Sequence, residues 1–291
     1  LLRYQAMVQS IIANRDFQNG KPVRLLEEML SEEFGVLFVA AFSSGTTALR
    51  MALYALNLKP GSRVAVTSFS FYSTATLLLQ LGLVPVFVDI DPYYQMRCDQ
   101  LEELIRTKTV DALLVVHMHG QLMDSADLCA FAKEQGMPIL EDAAQGFGAQ
   151  RYSKKAAAYS DIACLSFSPT KVIGAYGNGG AVLTRDKQLY DRLTSLRWHG
   201  ISSSGIDKLG GENGLLDSLQ AAAIQLKIPL AEKNRERRAE LARIYRRELG
   251  AVPQIVLPEY APGSKHSYHK YVVQLSNRDD VNRKMKMQGV E

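Results

Sequence analysis

Seven short apolar runs rich in β-branched residues recur along the chain, and they constrain its fold more than any other feature. They are VLFVAAF (36–42), RVAVTS (63–68), VPVFVDI (84–90), ALLVVHMH (112–119), PILED (138–142), IACLSFS (162–168) and GAVLT (180–184). Segments of helical length and pattern lie between most of them, at 46–57, 73–81, 99–107 and 124–135. Strands that alternate with helices predict an α/β chain with a three-layer large domain: a mostly parallel seven-stranded sheet covered on both faces. In such sheets ligands collect at the carboxyl ends of the strands.

From Leu215 to Leu249 the pattern is helical and long, and Pro229 is expected to break or kink it. That helix bridges into a second unit, in which SYHKYVVQL (267–275) alternates like a strand and RDDVNRKMKMQGVE (278–291) is amphipathic. The expected division is a large domain over residues 1–230 and a smaller α+β domain over 231–291 that is incomplete. The chain begins at Leu1 and stops after QGVE without a turn or capping signal, which reads as a piece of a longer polypeptide.

Charge and cysteine usage narrow the function. Lys and Arg number 34 against 30 Asp and Glu, and the basic cluster from Lys233 to Arg247 is interleaved with Glu232, Glu236, Glu240 and Glu248. That is a solvated helix face, and nucleic acid is not an expected partner. Cys98, Cys129 and Cys164 are widely separated and odd in number, against a disulfide framework or a cysteine-based zinc site and in keeping with a reducing cytoplasm. No apolar run approaches the roughly 18 residues of a membrane span, and no signal peptide is expected.

The chemistry gathers around Lys171, in SFSPTKVIGAYGNGGAVLT (166–184). A lysine at the end of a buried strand with no acidic neighbour in sequence tends toward the neutral, nucleophilic amine. Three other strand ends supply company. SSGTTAL after the first run offers Gly45, Thr46 and Thr47 at a helix N-terminus, a place for a phosphate, although alone it is an ordinary N-cap. EDAAQGFGA ends a strand with Glu141 and Asp142, and a buried aspartate needs a cationic partner, either a salt bridge or a protonated ring nitrogen. SFSFYSTA places Phe71 in a loop suited to stacking on a flat ring, and Ser166 precedes Lys171 by five residues. A phosphate cup, a ring-nitrogen partner, a stacking ring and a Schiff-base lysine are together the requirements of pyridoxal phosphate.

With these motifs, and with PVFVDID, GNGG, RWHG and LDSLQAA, the sequence resembles the DegT/DnrJ nucleotide-sugar aminotransferases, pyridoxal-phosphate enzymes of fold type I, over nearly all of residues 20–291. The resemblance implies that Lys171 is the Schiff-base lysine, Asp142 the partner of the pyridine nitrogen and Gln145 the contact to the ring's 3-oxygen. It makes Phe71 the stacking aromatic and Gly45, Thr46 and Ser166 the phosphate binders. It further implies a homodimer in which Asn213 reaches the neighbour's phosphate. The implied reaction moves an amino group from an amino acid, glutamate foremost, to a keto group on a nucleotide-linked sugar. A keto-cyclitol acceptor and a non-catalytic regulatory relative are the alternatives. Two departures stand out: Gly214-Leu215 replaces the family's Ser-Arg, and the family runs on past Glu291.

Two rival readings fare worse. The glycines of GAYGNGG (174–180) precede a strand, whereas a dinucleotide fingerprint follows one and opens a helix. His117 and His119, two apart on an expected strand, point to opposite faces and do not share a metal. Lys171 itself argues against the dehydratase members, which carry histidine there.

Overall fold

The computed structural model describes residues 2–203, 205–207 and 210–290. Every expected apolar run contains a strand: β1 Phe38–Phe42, β2 Arg63–Thr67, β3 Val84–Val88, β4 Ala112–Val116, β5 Ile139–Asp142, β6 Ile162–Ser166 and β7 Gly180–Thr184. They form one sheet in the order β1-β7-β6-β5-β4-β2-β3. The pairs β2–β3, β2–β4, β4–β5 and β5–β6 are parallel, and only β7 runs against its neighbours. Since β7 opposes both β1 and β6, the carboxyl ends of the other six strands share one edge. Gly180, the first residue of β7, sits on that edge between Phe42 and Ser166.

The helices are α1 Leu2–Asn14, α2 Lys21–Phe34, α3 Gly45–Ala55, α4 Ser73–Gln80, α5 Cys98–Arg106, α6 Ala126–Glu134, α7 Lys187–Leu196, α8 Ser218–Lys227, α9 Ala231–Leu249 and α10 Arg278–Met287. Strand residues alternate between two cores, as the pleat requires. Ala40, Phe42, Leu114 and Val116 pack with Leu49 and Ala52 of α3, Leu77 and Leu78 of α4, and Leu193 and Leu196 of α7. Val39 and Ala41 turn to the other face, against Leu26 and Leu30 of α2 and Ile224 of α8, while Leu113 and Val115 meet Leu101 of α5 and Leu128 of α6. Each large aliphatic side chain so buried contributes about 1.5–3 kcal/mol, which holds the strand ends in register.

Local sequence explains the boundaries. Ser44 caps α3 by accepting from the Thr47 N–H, and Asp186 caps α7 by accepting from Gln188 and Leu189. Helix α2 has proline in its first turn and ends at Gly35 in the left-handed region (φ 62°). Pro229 breaks the long helix as expected: α8 passes through the 3-10 turn Ile228–Leu230 into α9.

Two expectations need correction. The alternating stretch 267–275 forms no strand, having only an isolated bridge from Gln274 to Val256, because its backbone docks on loops of the main sheet and leaves no open sheet edge beside it. Strand β4 ends at Val116, so pleat alternation does not govern His117 and His119. His119 is in the left-handed region (φ 59°).

Candidate active site

A cavity of about 700 Å³ opens at the carboxyl edge of the sheet, and it brings together Gly45, Thr46, Phe71, Asp142, Gln145, Ser166 and Lys171. Seven of the eight residues to which the resemblance assigns a role therefore meet in one place. Asn213 does not line this cavity. It is exposed, bridges to Trp198, and lies in the segment whose Gly214 carbonyl accepts from the Ser43 N–H at 2.8 Å.

Asp142 ends β5 and is 9% exposed. Its Oδ2 accepts from the Thr74 hydroxyl at 3.0 Å and its Oδ1 from the Ala144 N–H at 3.1 Å. Both donors are neutral. Among the described residues no Lys, Arg or His lies within ion-pair distance of this carboxylate. A buried carboxylate without a cationic partner fits a protonated pyridine nitrogen.

Lys171 lies beyond the end of β6, in a turn closed by its N–H donating to the Ser168 carbonyl at 2.9 Å. Burial lowers its pKa from the ordinary lysine value, the positive charge of Lys270 adds to the fall, and the Asp142 carboxylate opposes it. The amine is thereby more nucleophilic near neutrality than a surface lysine.

The N-terminus of α3 and Ser166 build the third part. Ser44 satisfies the Thr47 N–H, while the N–H groups of Gly45 and Thr46 belong to the first turn and have no intrahelical partner. A Cβ on Gly45 would stand 2.6 Å from the Ser166 Cβ, and a Cβ on Gly180 would meet the Gly45 amide nitrogen at 2.7 Å. The two glycines let a helix N-terminus, a serine hydroxyl and a strand end converge, an arrangement suited to a phosphate.

Gln145 accepts from the His119 N–H through Oε1 at 2.9 Å, and its Nε2 meets only the Met118 sulfur at 3.4 Å. Thioether sulfur is a weak acceptor, so the amide N–H remains free to donate to a ring oxygen. Phe71 is 56% exposed and tilts against Tyr72, with ring centroids 4.4 Å apart. These residues fit pyridoxal phosphate at its phosphate, ring nitrogen, ring oxygen and reacting carbon.

Sequence reasoning missed several lining residues. Thr74 and Ser70 come from the start of α4 and the loop before it, while Asn178 precedes β7. His269 and Lys270 arrive from the stretch misread as a strand. That stretch docks through Ser267 N–H to the Gly120 carbonyl (2.8 Å) and Lys270 N–H to the His119 carbonyl (3.2 Å). Two histidines in HSYHK, a dense polar group just before the apolar YVV, were the available signal. His117 lines the cavity and is buried; its Nδ1 accepts from Met123 N–H, and its Nε2 sits 3.4 Å from the Glu141 carboxylate.

The chain is similar to known aminotransferases. The chain is 34% identical over 284 residues to the UDP-N-acetyl-3-dehydro-α-D-glucosamine 3-aminotransferase of Acidithiobacillus ferrooxidans, covering 97% of this chain and 76% of that protein. It is 33% identical over 288 residues to the UDP-2-acetamido-2-deoxy-3-oxo-D-glucuronate aminotransferase of Pseudomonas aeruginosa, covering 99% and 80%. The crystal structure of NtdA from Bacillus subtilis with bound cofactor PMP superposes with a TM-score of 0.86 at 29% identity, covering 96% of this chain and 64% of that one. The model of the DegT/DnrJ/EryC1/StrS aminotransferase family matches residues 3–291, and the chain belongs to that family.

Proposed function

We propose that this protein is a pyridoxal-phosphate aminotransferase that takes an amino group from an amino acid, glutamate foremost, and passes it to the keto group of a nucleotide-linked sugar. The observation that carries the reading is the meeting of Lys171, its pKa lowered by burial, with the cation-free carboxylate of Asp142 in one cavity. The sugar half rests on the likeness to two UDP-sugar aminotransferases.

In this reading Gly45, Thr46 and Ser166 hold the cofactor's phosphate, Phe71 covers its ring, and Gln145 donates to the ring oxygen. Asp142, held by Thr74 and the Ala144 N–H, keeps the ring nitrogen protonated. The bound cofactor supplies an electron sink for the carbon that loses a proton. Lys171 acts as the covalent anchor and then, displaced by the donor, as the base that moves a proton from the donor's α-carbon. Its lowered pKa keeps a share of the amine neutral for that task.

A visible absorbance band that bleaches with glutamate and returns with a nucleotide keto-sugar is the expected result. Return with simple keto acids only would remove the sugar assignment, and full exchange by Lys171→Ala would remove the mechanism. We also place Asn213 at a neighbouring subunit's phosphate in a homodimer. Its exposure, away from its own cavity, supports this. Asn213→Ala is expected to release cofactor while sedimenting as a dimer, and a fully active monomer would refute the shared site. A split near residue 230 and a cytoplasmic setting complete the reading. Among the described residues no helix is long and apolar enough to cross a membrane.

A further inference from the structure

Two lysines line the cavity, and only Lys171 has a task in the reaction proposed above. Asp142 is the only carboxylate lining it among the described residues, and that reading commits Asp142 to the ring nitrogen. Lys270 has no carboxylate within ion-pair distance among the described residues. Lys171, His269 and His119, which feel its charge, are cationic or neutral, and Glu259, which shares a small adjoining pocket with Lys270, forms no ion pair with it. An ammonium at a cavity mouth, without a counter-ion, attracts an anion.

Its backbone is held while its head is free. The Lys270 and Ser267 N–H groups are bonded to the carbonyls of His119 and Gly120, yet the Lys270 side chain is exposed. His269 lines the cavity beside it. Burial first, and then Lys171 and Lys270, push the His269 pKa down to about 4, so near pH 7 the imidazole is neutral and offers one N–H donor.

Lys171 and Lys270 line the same cavity, so an anion held by Lys270 shares that cavity with the reacting nitrogen. In an amino-acid donor the group nearest the reacting amine is the α-carboxylate, borne on the same carbon; a keto-sugar presents hydroxyls there. We propose that Lys270, with the imidazole of His269, forms the subsite for the α-carboxylate of the amino-acid donor. This rests on the aminotransferase reading above. An exposed lysine suits a cavity that takes two unlike substrates in turn. When the sugar enters and turns neutral hydroxyls toward the reacting nitrogen, the flexible stem lets the ammonium stay in water instead of being trapped unpaired.

The test uses the holoenzyme with glutamate, glutamine and alanine as donors, in wild type, Lys270→Met and Lys270→Arg. Bleaching of the cofactor band gives the donor half-reaction, and its return with keto-sugar gives the other half. For Lys270→Met the apparent affinity is expected to fall roughly 10–100-fold for all three donors, the span of one or two charge-assisted bonds. The sugar half should change less than about threefold, and Lys270→Arg should recover most of the loss. Calorimetric titration with L-lactate, which has the α-carboxylate but no amine, should show binding to wild type that Lys270→Met loses. A loss confined to glutamate would assign Lys270 to a side-chain carboxylate and overturn the proposal, as would a defect in the sugar half or no change. A wild-type protein that binds lactate through Lys270 yet shows no bleaching would sink the aminotransferase reading while leaving the carboxylate subsite standing.

Discussion

The Thr74 hydroxyl donates to Asp142 Oδ2 at 3.0 Å, joining the start of α4 to the end of β5 across the floor of the cavity. Ser70 Oγ lies 3.0 Å from the same hydroxyl and extends the chain of bonds toward the loop that carries Phe71. The aspartate's orientation thus depends on Thr74, which lines the same cavity.

Thr74→Val keeps the shape of the side chain and removes the donor. One buried carboxylate oxygen then lacks its partner, at about 1–3 kcal/mol. The expected outcome is a protein that binds cofactor but turns over roughly ten times more slowly, with Thr74→Ser close to wild type. Steady-state kinetics with the visible band as a check on occupancy decides it.

Gly45→Ala tests the phosphate cradle. The added methyl would stand 2.6 Å from Ser166 Cβ and 3.2 Å from its Cα, atoms fixed to the strand and unable to swing aside. Helix α3 must back away from β6, an overpacking cost of about 1–3 kcal/mol. Cofactor affinity is expected to drop at least about tenfold, measured by titrating apo-protein and following the band, with modest loss of thermal stability.

Much of this was legible because the decisive signals are local. β-Branched runs mark strands wherever they occur, and the residues at their carboxyl ends share an edge once the strands are parallel, so Asp142, Ser166 and Gly45 could be placed from sequence. The helices α1, α2 and α7 escaped notice, although Pro22 and Gly35 mark the ends of α2 and Asp186 the start of α7. The stretch 267–275 misled because alternation announces a strand only where a partner edge exists. Its docking depends on Gly120, far away in sequence, and no period along the chain encodes that contact.

Acid should unfold this protein in a defined window. His119, His266 and His269 have folded pKa values pushed down to about 4 from an ordinary 6.5, by burial first and then by nearby positive charge. Between those values the unfolded chain binds more protons than the folded one, so stability is intact above pH 6.5 and falls as pH drops toward 4. The combined loss is on the order of a few kcal/mol once solvent screening is allowed for. Urea midpoints at pH 7, 5.5 and 4 measure it. A variant with all three replaced by asparagine should be flatter across the window; Glu232, held down at about 2 by Arg235 first, titrates mainly below it.

Gly120→Ala addresses how His269 and Lys270 are brought to the cavity. Gly120 has φ +98°, outside the range that a side chain adopts without strain, and its missing Cβ makes room for the backbone of 267–269: an added methyl would meet the His269 amide nitrogen at 2.8 Å and that of Tyr268 at 3.1 Å. Strain and collision together should cost about 2–4 kcal/mol. Relief requires that the 267–270 segment lift away from the loop after β4, weakening the bonds from Ser267 to Gly120 and from Lys270 to His119. Lys171, Asp142 and the α3 N-terminus stand on other elements, and the segment reaches Gln145 only at its backbone, where Ser267 Oγ donates to the carbonyl at 3.5 Å. The variant should therefore keep its cofactor band while its donor half-reaction weakens in step with Lys270→Met, and amide exchange should speed up at residues 267–270 before it does in β4 or β5. Loss of the cofactor band at a temperature where the protein remains folded would show that the docked segment holds the cofactor itself.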